Sequence, residues 1–225
     1  MQDKPIFNSQ AFGIESTAEV SNVLKNTYLL LAMTLTVSAL TAWAAVAVGI
    51  GYGTALVFNL ISFGLLMFVL PRTANSGNGV ITVFAFTALM GAGLGPMLNH
   101  YLHVAGGGQL IMQALGGTAL VFFALSAYVL TTRKDFSFTG GFLMTGLIVV
   151  LLAGIANIFF HMPAIYLAMN AAIILLMSVS ILFHTSQIIH GGERNYLMAT
   201  VSLYLALYNM FVSLLQLLGI FGSDD

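Results

Sequence analysis

Residues 163–188 read PAIYLAMNAAIILLMSVSILFHTSQI and contain no Asp, Glu, Lys or Arg. An α-helix rises 1.5 Å per residue, so a run of about 20 apolar residues crosses the ~30 Å hydrocarbon core of a bilayer. The stretch is therefore long and apolar enough to predict a transmembrane helix.

Six further runs of the same kind surround this stretch, and they also lack the four charged residue types. They are residues 26–48, 53–70, 80–100, 109–131, 138–160 and 196–221. Little chain remains outside the runs, apart from a polar tail at residues 1–25. The pattern predicts an all-α, polytopic membrane bundle of seven helices, which forms a single domain over residues 26–225.

The composition excludes most other protein classes. Of the 225 residues, 59% are hydrophobic and only 6% are charged, whereas a soluble protein carries roughly 25% charged residues. A soluble enzyme, a nucleic-acid-binding domain and a disordered chain are all inconsistent with these values. The chain has no cysteine, which excludes disulfides, thiolate metal sites and cysteine nucleophiles.

The positive charges predict the orientation in the membrane. With seven spans, all six lie on one side, at Lys4, Lys25, Arg72, Arg133, Lys134 and Arg194. Cytoplasmic loops carry the excess of Lys and Arg, so we expect the N-terminus in the cytoplasm and the C-terminus on the other side of the membrane. If the last run were re-entrant instead, Asp224 and Asp225 would return to the cytoplasm.

The spans offer little chemistry. Proton pumps and proton-coupled transporters usually carry ionisable residues within the membrane, and the seven runs contain neither a carboxylate nor a lysine. The sequence also lacks a His-Glu-x-x-His zinc motif and a Gly-x-Ser nucleophile context. We therefore expect no catalysis, no cofactor and no metal.

Polar residues recur at helical spacing on three spans. They are Thr27, Thr34, Ser38 and Thr41 on the first, Asn170, Ser178, His184 and Gln187 on the sixth, and Ser202, Asn209, Ser213 and Gln216 on the last, with Ala206 in the same stripe. One interpretation is hydrogen bonding between helices. The other is that the stripes on spans six and seven line a polar cavity that opens toward the cytoplasm. His184 would then be either a pH-sensitive gate or a hydrogen-bonded neutral histidine near the interface.

A glycine cluster marks the third span. Gly91, Gly93 and Gly95 precede Pro96. Within a membrane span, such a cluster indicates close helix packing or a broken helix rather than a loop.

Several stretches resemble the Bax inhibitor-1 family. They are Gly116–Phe123, Thr131–Phe138 (TTRKDFSF), Ala156–Phe159, Ser186–Gly192 (SQIIHGG) and Ser202–Asn209. The similarity covers almost the whole chain from about Leu24. It implies a helical bundle around a central final helix, in agreement with the span count.

The resemblance implies two alternative functions. The more similar bacterial members bind the membrane protease FtsH and restrain its degradation of other membrane proteins, so FtsH is the expected partner. The polar, mobile tail would be the part that the protease engages first.

Other members of the family resemble pH-sensitive calcium leak channels that are closed by a pair of aspartates on the last two spans. The matching positions here are His184 and Ala206, and neither is acidic. Calcium prefers carboxylate oxygens, so the missing pair favours the protease modulator. Arg72 matches a family arginine that interacts with the acidic pair. The candidate pore residues are therefore His184, Gln187, Ala206, Asn209 and Arg72.

Overall fold

The computed structural model describes residues 9–222, with side chains from Glu19 onward. Its α-helices are α1 (Ser9–Val48), α2 (Tyr52–Gly64), α3 (Leu70–Thr73), α4 (Asn78–Gly93), α5 (Gly95–Leu102), α6 (Gly107–Thr132), α7 (Gly140–Phe160), α8 (Pro163–Ile189) and α9 (Tyr196–Phe221). A π-helical turn, Leu65–Val69, joins α2 to α3, and a 3₁₀ turn, Ser137–Thr139, precedes α7.

Seven stretches of these helices are long and apolar enough to cross a membrane. Each coincides with a predicted run to within a few residues at most boundaries, which confirms the seven-helix prediction. The last span is one uninterrupted helix from Tyr196 to Phe221, so it is not re-entrant.

The structure describes part of the expected polar tail. Helix α1 begins at Ser9, so the backbone of residues 9–25 is helical and continues into the first span. Lys4, Asp224 and Asp225 lie outside the described residues.

The glycine cluster both packs closely and breaks the third span. Leu94 separates α4 from α5, and Pro96 lies in the first turn of α5, where a missing N–H costs no helical hydrogen bond. A Cβ added at Gly91 would overlap the Ser38 carbonyl oxygen on α1, and one at Gly93 would lie 2.6 Å from Asn59 Oδ1 on α2. Both interpretations of the cluster therefore hold.

Helix α9 forms the centre of the bundle. It contacts α1, α4, α6 and α8, and Leu203, Met210 and Leu215 along its length have no exposed surface. Helix α7 lies at the outside, where it contacts α8 and buries only Leu143 among its described residues. The final helix is thus central, as the family resemblance implied.

Hydrogen bonds show which helix ends lie together. Asn195 Nδ2 donates to the Ala74 carbonyl oxygen (2.9 Å), Phe136 N–H donates to Ser186 Oγ (2.9 Å), and Thr200 Oγ1 donates to the Thr27 carbonyl oxygen (3.3 Å). These contacts bring Lys25, Arg72, Arg133, Lys134 and Arg194 to one end of the bundle. We call it the charged end.

Candidate functional site at the charged end of the bundle

The five predicted pore residues have different surroundings and hydrogen-bond partners. His184 is half-buried beside Phe183, and Ala206 is buried in the core around α9. Asn209 is exposed and donates to the Leu205 carbonyl oxygen of its own helix (2.8 Å). The Arg72 guanidinium likewise bonds a carbonyl oxygen of its own span, that of Phe68.

Gln187 is the predicted residue that reaches another element. Its side-chain Nε2 donates to Ser137 Oγ (3.3 Å). Its backbone carbonyl oxygen accepts the N–H groups of Gly192 (2.8 Å) and Glu193 (3.1 Å). Gln187 therefore braces the end of α8 against the turn that precedes α7. Within residues 19–222, no hydrogen bond joins any two of the five predicted residues.

The loop after α6 docks onto the end of α8. We define this docking loop as residues 133–139. Ser186 Oγ accepts the Phe136 N–H (2.9 Å) and lies 3.4 Å from Asp135 Oδ1, while His190 Nε2 lies 3.1 Å from the Arg133 carbonyl oxygen. The two stretches TTRKDFSF and SQIIHGG, about 50 residues apart in sequence, are thus in direct contact.

The Asp135 carboxylate is fixed at the tip of the docking loop. Its Oδ1 accepts the Ser137 N–H (2.8 Å). The pKa of Asp135 is lowered, first by hydrogen bonds from the Ser137 side chain and backbone, and further by the charge of His190 and by the Ser186 hydroxyl. The carboxylate therefore stays ionised in the neutral pH range.

Asn195 joins two more loops at the same end. It is the N-cap of α9, where its Oδ1 accepts the N–H groups of Leu197 (2.9 Å) and Met198 (3.3 Å). Its Nδ2 donates to the Ala74 carbonyl oxygen and to Asn75 Oδ1 (3.0 Å). A cleft of about 480 Å³ lies between these loops, with Arg194 and Ser76 on its rim. Sequence analysis missed Asn195, although an Asn directly before an apolar run is an N-cap signal.

The polar stripes are bonded between helices only in part, which was one of the two interpretations. Thr34, Thr41 and Ser178 each donate to a carbonyl oxygen of their own helix. Ser38 does reach another helix, since its Oγ lies 2.8 Å from the phenolic oxygen of Tyr204. Tyr204 also donates to the Thr87 carbonyl oxygen (3.3 Å), so this buried phenol links α1, α4 and α9.

An apolar groove of about 720 Å³ opens toward the membrane between α1 and α6. Trp43 and Phe123 line its mouth, and Tyr204 lies at its floor. Within residues 19–222, no three His, Asp or Glu side chains form a group that could hold a metal ion. The described part of the chain thus presents braced loops at the charged end and an apolar membrane face.

A family model described as "Inhibitor of apoptosis-promoting Bax1" matches residues 20–223. The chain belongs to the Bax inhibitor-1 family. The match covers all seven spans, including the two motif stretches that meet at the docking loop. The family description names an inhibitor rather than a catalyst.

Bacterial relatives extend this finding. The chain is 55% identical over 210 residues to the Escherichia coli K12 protein named "Modulator of FtsH protease YccA", covering 93% of this chain and 94% of that protein. It is 51% identical to a Pseudomonas aeruginosa protein, covering 92% and 93% of the two chains. It is 48% identical to a Vibrio cholerae membrane protein, covering 98% and 99%. Both the fold and the relatives identify this member of the Bax inhibitor-1 family as a membrane protein.

Proposed function

We propose that this protein binds the FtsH protease and restrains its degradation of other membrane proteins. The observation that carries the proposal is the 55% identity, over almost the full length of both chains, to a protein named as a modulator of FtsH protease. Its role would be that of a binding partner with no catalysis of its own. We further propose an inner-membrane location with the charged end in the cytoplasm, since positive charges collect on that side.

The geometry of α1 supports a contact at the charged end. The first apolar run covers residues 26–48, whereas the described part of α1 starts at Ser9. At 1.5 Å per residue, residues 9–25 extend the helix beyond that run by about 25 Å. The N-terminal part of α1 would thus project from the same end as the docking loop, and a cytoplasmic protease domain could reach both.

A reconstituted assay tests the proposal. FtsH in proteoliposomes degrades one membrane substrate and one soluble substrate, with and without this protein. We expect selective slowing of the membrane substrate. Unchanged degradation of both substrates, with the protein shown to be folded and inserted, would refute the proposal.

A shortened chain that begins at Glu19 tests the contribution of the projecting segment. Val23 is the first buried residue of α1 among the described side chains, so the truncation keeps every buried residue that the structure describes. We expect weaker restraint of FtsH than with the full chain. Equal restraint would show that the segment is not the point of contact.

The cation-leak alternative has weaker support. Ala206 is buried in the same core cluster as Leu203, Leu207 and Met210, so a small apolar side chain stands where the family resemblance implies an aspartate in such a channel. The same proteoliposomes can be loaded with a calcium indicator. A calcium flux that depends on this protein and changes when His184 is replaced by Gln would favour the channel.

A further inference from the structure

His190 has an unusual pair of neighbours at the end of α8. Its Nε2 lies 3.1 Å from the Arg133 carbonyl oxygen, and its Nδ1 lies 2.9 Å from the Ser186 carbonyl oxygen. A neutral imidazole carries one N–H, whereas the imidazolium carries two. Only the protonated ring can therefore donate to both carbonyl oxygens.

The neutral ring interacts less favourably with the same two carbonyl oxygens. With its proton on Nε2, the ring donates to Arg133, and Nδ1 can accept the Ser186 hydroxyl at 3.3 Å. The Nδ1 lone pair then faces the Ser186 carbonyl oxygen, which lies closer than the hydroxyl. Protonation replaces this repulsion with a charge-assisted hydrogen bond. It also frees the Ser186 hydroxyl to donate to Asp135 Oδ1 (3.4 Å).

We propose that His190 is a proton-controlled latch that holds the docking loop on the end of α8. The protonated ring fastens the loop through the Arg133 carbonyl oxygen, and loss of the proton leaves the loop held less tightly. His190 is exposed, so it exchanges protons with the surrounding water. The latch stands apart from the proposed partner, because it concerns the conformation of this chain alone.

The charges around the latch act in both directions. Asp135 on the docking loop favours the imidazolium, and its lowered pKa keeps it ionised while a histidine titrates. Arg133 and Lys134 oppose a further positive charge, but the Lys134 ammonium is turned over the Tyr128 ring at 5.8 Å.

The turn after α8 carries two more charges. The Glu193 carboxylate accepts the Asn195 N–H (2.8 Å), and Arg194 Nε donates to the Gly191 carbonyl oxygen (3.5 Å). Both side chains are thus engaged within their own turn. Asp135 is the charge in the docking loop that favours the protonated ring.

The latch would control the attachment of α7. The docking loop leads directly into α7, an outer helix that packs on α8. A tighter loop at low pH therefore fixes the charged end of α7 against α8. A looser loop at high pH leaves that end of α7 free to move.

Spin labelling tests the proposal in the full chain, which has no cysteine of its own. A nitroxide at Gly141→Cys reports on the start of α7, where an added Cβ has open space. Gly108→Cys is the matched control, because Gly108 is also the second residue of its helix, has open space and lies at the opposite end. We expect the mobile fraction at Gly141 to fall about twofold to fivefold from pH 8 to pH 5.5, the effect of one modest hydrogen bond. The Gly108 spectrum should not change.

Two histidine variants decide the origin of the response. His190→Gln should abolish the pH dependence at Gly141, whereas His161→Gln, at the other end of the bundle, should retain it. An unresponsive spectrum in the full chain, or an equal response in His190→Gln, would overturn the latch.

A further variant covers the case in which His190→Gln does not fold. Asp135→Asn removes the neighbouring negative charge but keeps an oxygen for the Ser137 N–H. The midpoint of the Gly141 response should then move to lower pH. An unchanged midpoint would overturn the proposal.

Discussion

The Tyr204 phenol offers a sharp test of how the bundle is held together. Its oxygen lies 2.8 Å from Ser38 Oγ on α1 and 3.3 Å from the Thr87 carbonyl oxygen on α4. Hydrogen bonds between membrane helices contribute about 0.6 kcal/mol each. Tyr204→Phe keeps the ring and removes both bonds, so we expect the free energy of unfolding to fall by roughly 1 kcal/mol.

Tyr208 provides the matched control on the same helix. Its ring centroid lies 6.1 Å from that of Tyr204, and its hydroxyl makes no hydrogen bond within residues 19–222. Unfolding in mixed detergent and SDS micelles can be followed through the fluorescence of Trp43, the single tryptophan. Tyr208→Phe should leave the unfolding midpoint almost unchanged.

A double-mutant cycle isolates the contact between α1 and α9. Combining Tyr204→Phe with Ser38→Ala should give a coupling energy near 0.6 kcal/mol, with about 1.7 kcal/mol as an upper limit for such bonds. Zero coupling, or equal losses for Tyr204→Phe and Tyr208→Phe, would refute the assignment of Tyr204 as a link between helices.

Two further predictions concern stability and use the same unfolding assay. Gly91→Ala should destabilise the bundle by about 1–3 kcal/mol, because the new Cβ overlaps the Ser38 carbonyl oxygen. Gly116→Ala is the control, because its Cβ meets open space, and it should cause no loss of stability. Equal losses for the two variants would contradict the close packing at Gly91. Asn195→Ala should cost about 1 kcal/mol for the lost N-cap and about 1 kcal/mol for the lost bond to Ala74. Asn195→Ser keeps a capping oxygen and should recover about half of that loss, whereas no recovery would show that the cap contributes nothing.

The spans could be predicted because hydrocarbon thickness imposes a length on each apolar run. Residues 163–188 and 196–221 match α8 and α9 almost residue for residue. Which helix is central could not be predicted from hydrophobicity, because lipid is as apolar as a helix interior. Helix α7 is at least as apolar in sequence as α9, yet it lies outside. The central position of α9 was predicted from the family resemblance instead.

The contacts at the charged end were less predictable. Asn195 could in principle have been predicted from the sequence. The N–H groups in the first turn of a helix lack acceptors within the helix, and the local sequence shows which residue can cap them. The docking of residues 133–139 on α8 depends on contacts about 50 residues apart, which no local pattern encodes. The hydrogen-bond partners of the hydroxyl groups were difficult to predict for a related reason, because Thr and Ser in a helix can donate to a preceding carbonyl oxygen of the same helix. Only the packing of the helices decides which hydroxyl bonds a neighbouring helix, as Ser38 does.

The central position of α9 also has a consequence for biosynthesis. Helix α9 follows all the helices that pack against it in chain order, so α1, α4, α6 and α8 are synthesised before their common neighbour exists. During that interval the surfaces that later pack against Leu203 and Met210 lack this contact, and the Ser38 hydroxyl lacks its Tyr204 partner. A nascent chain that stalls before residue 196 would therefore hold six inserted spans without a core, and assembly can be completed only when the last helix enters the membrane.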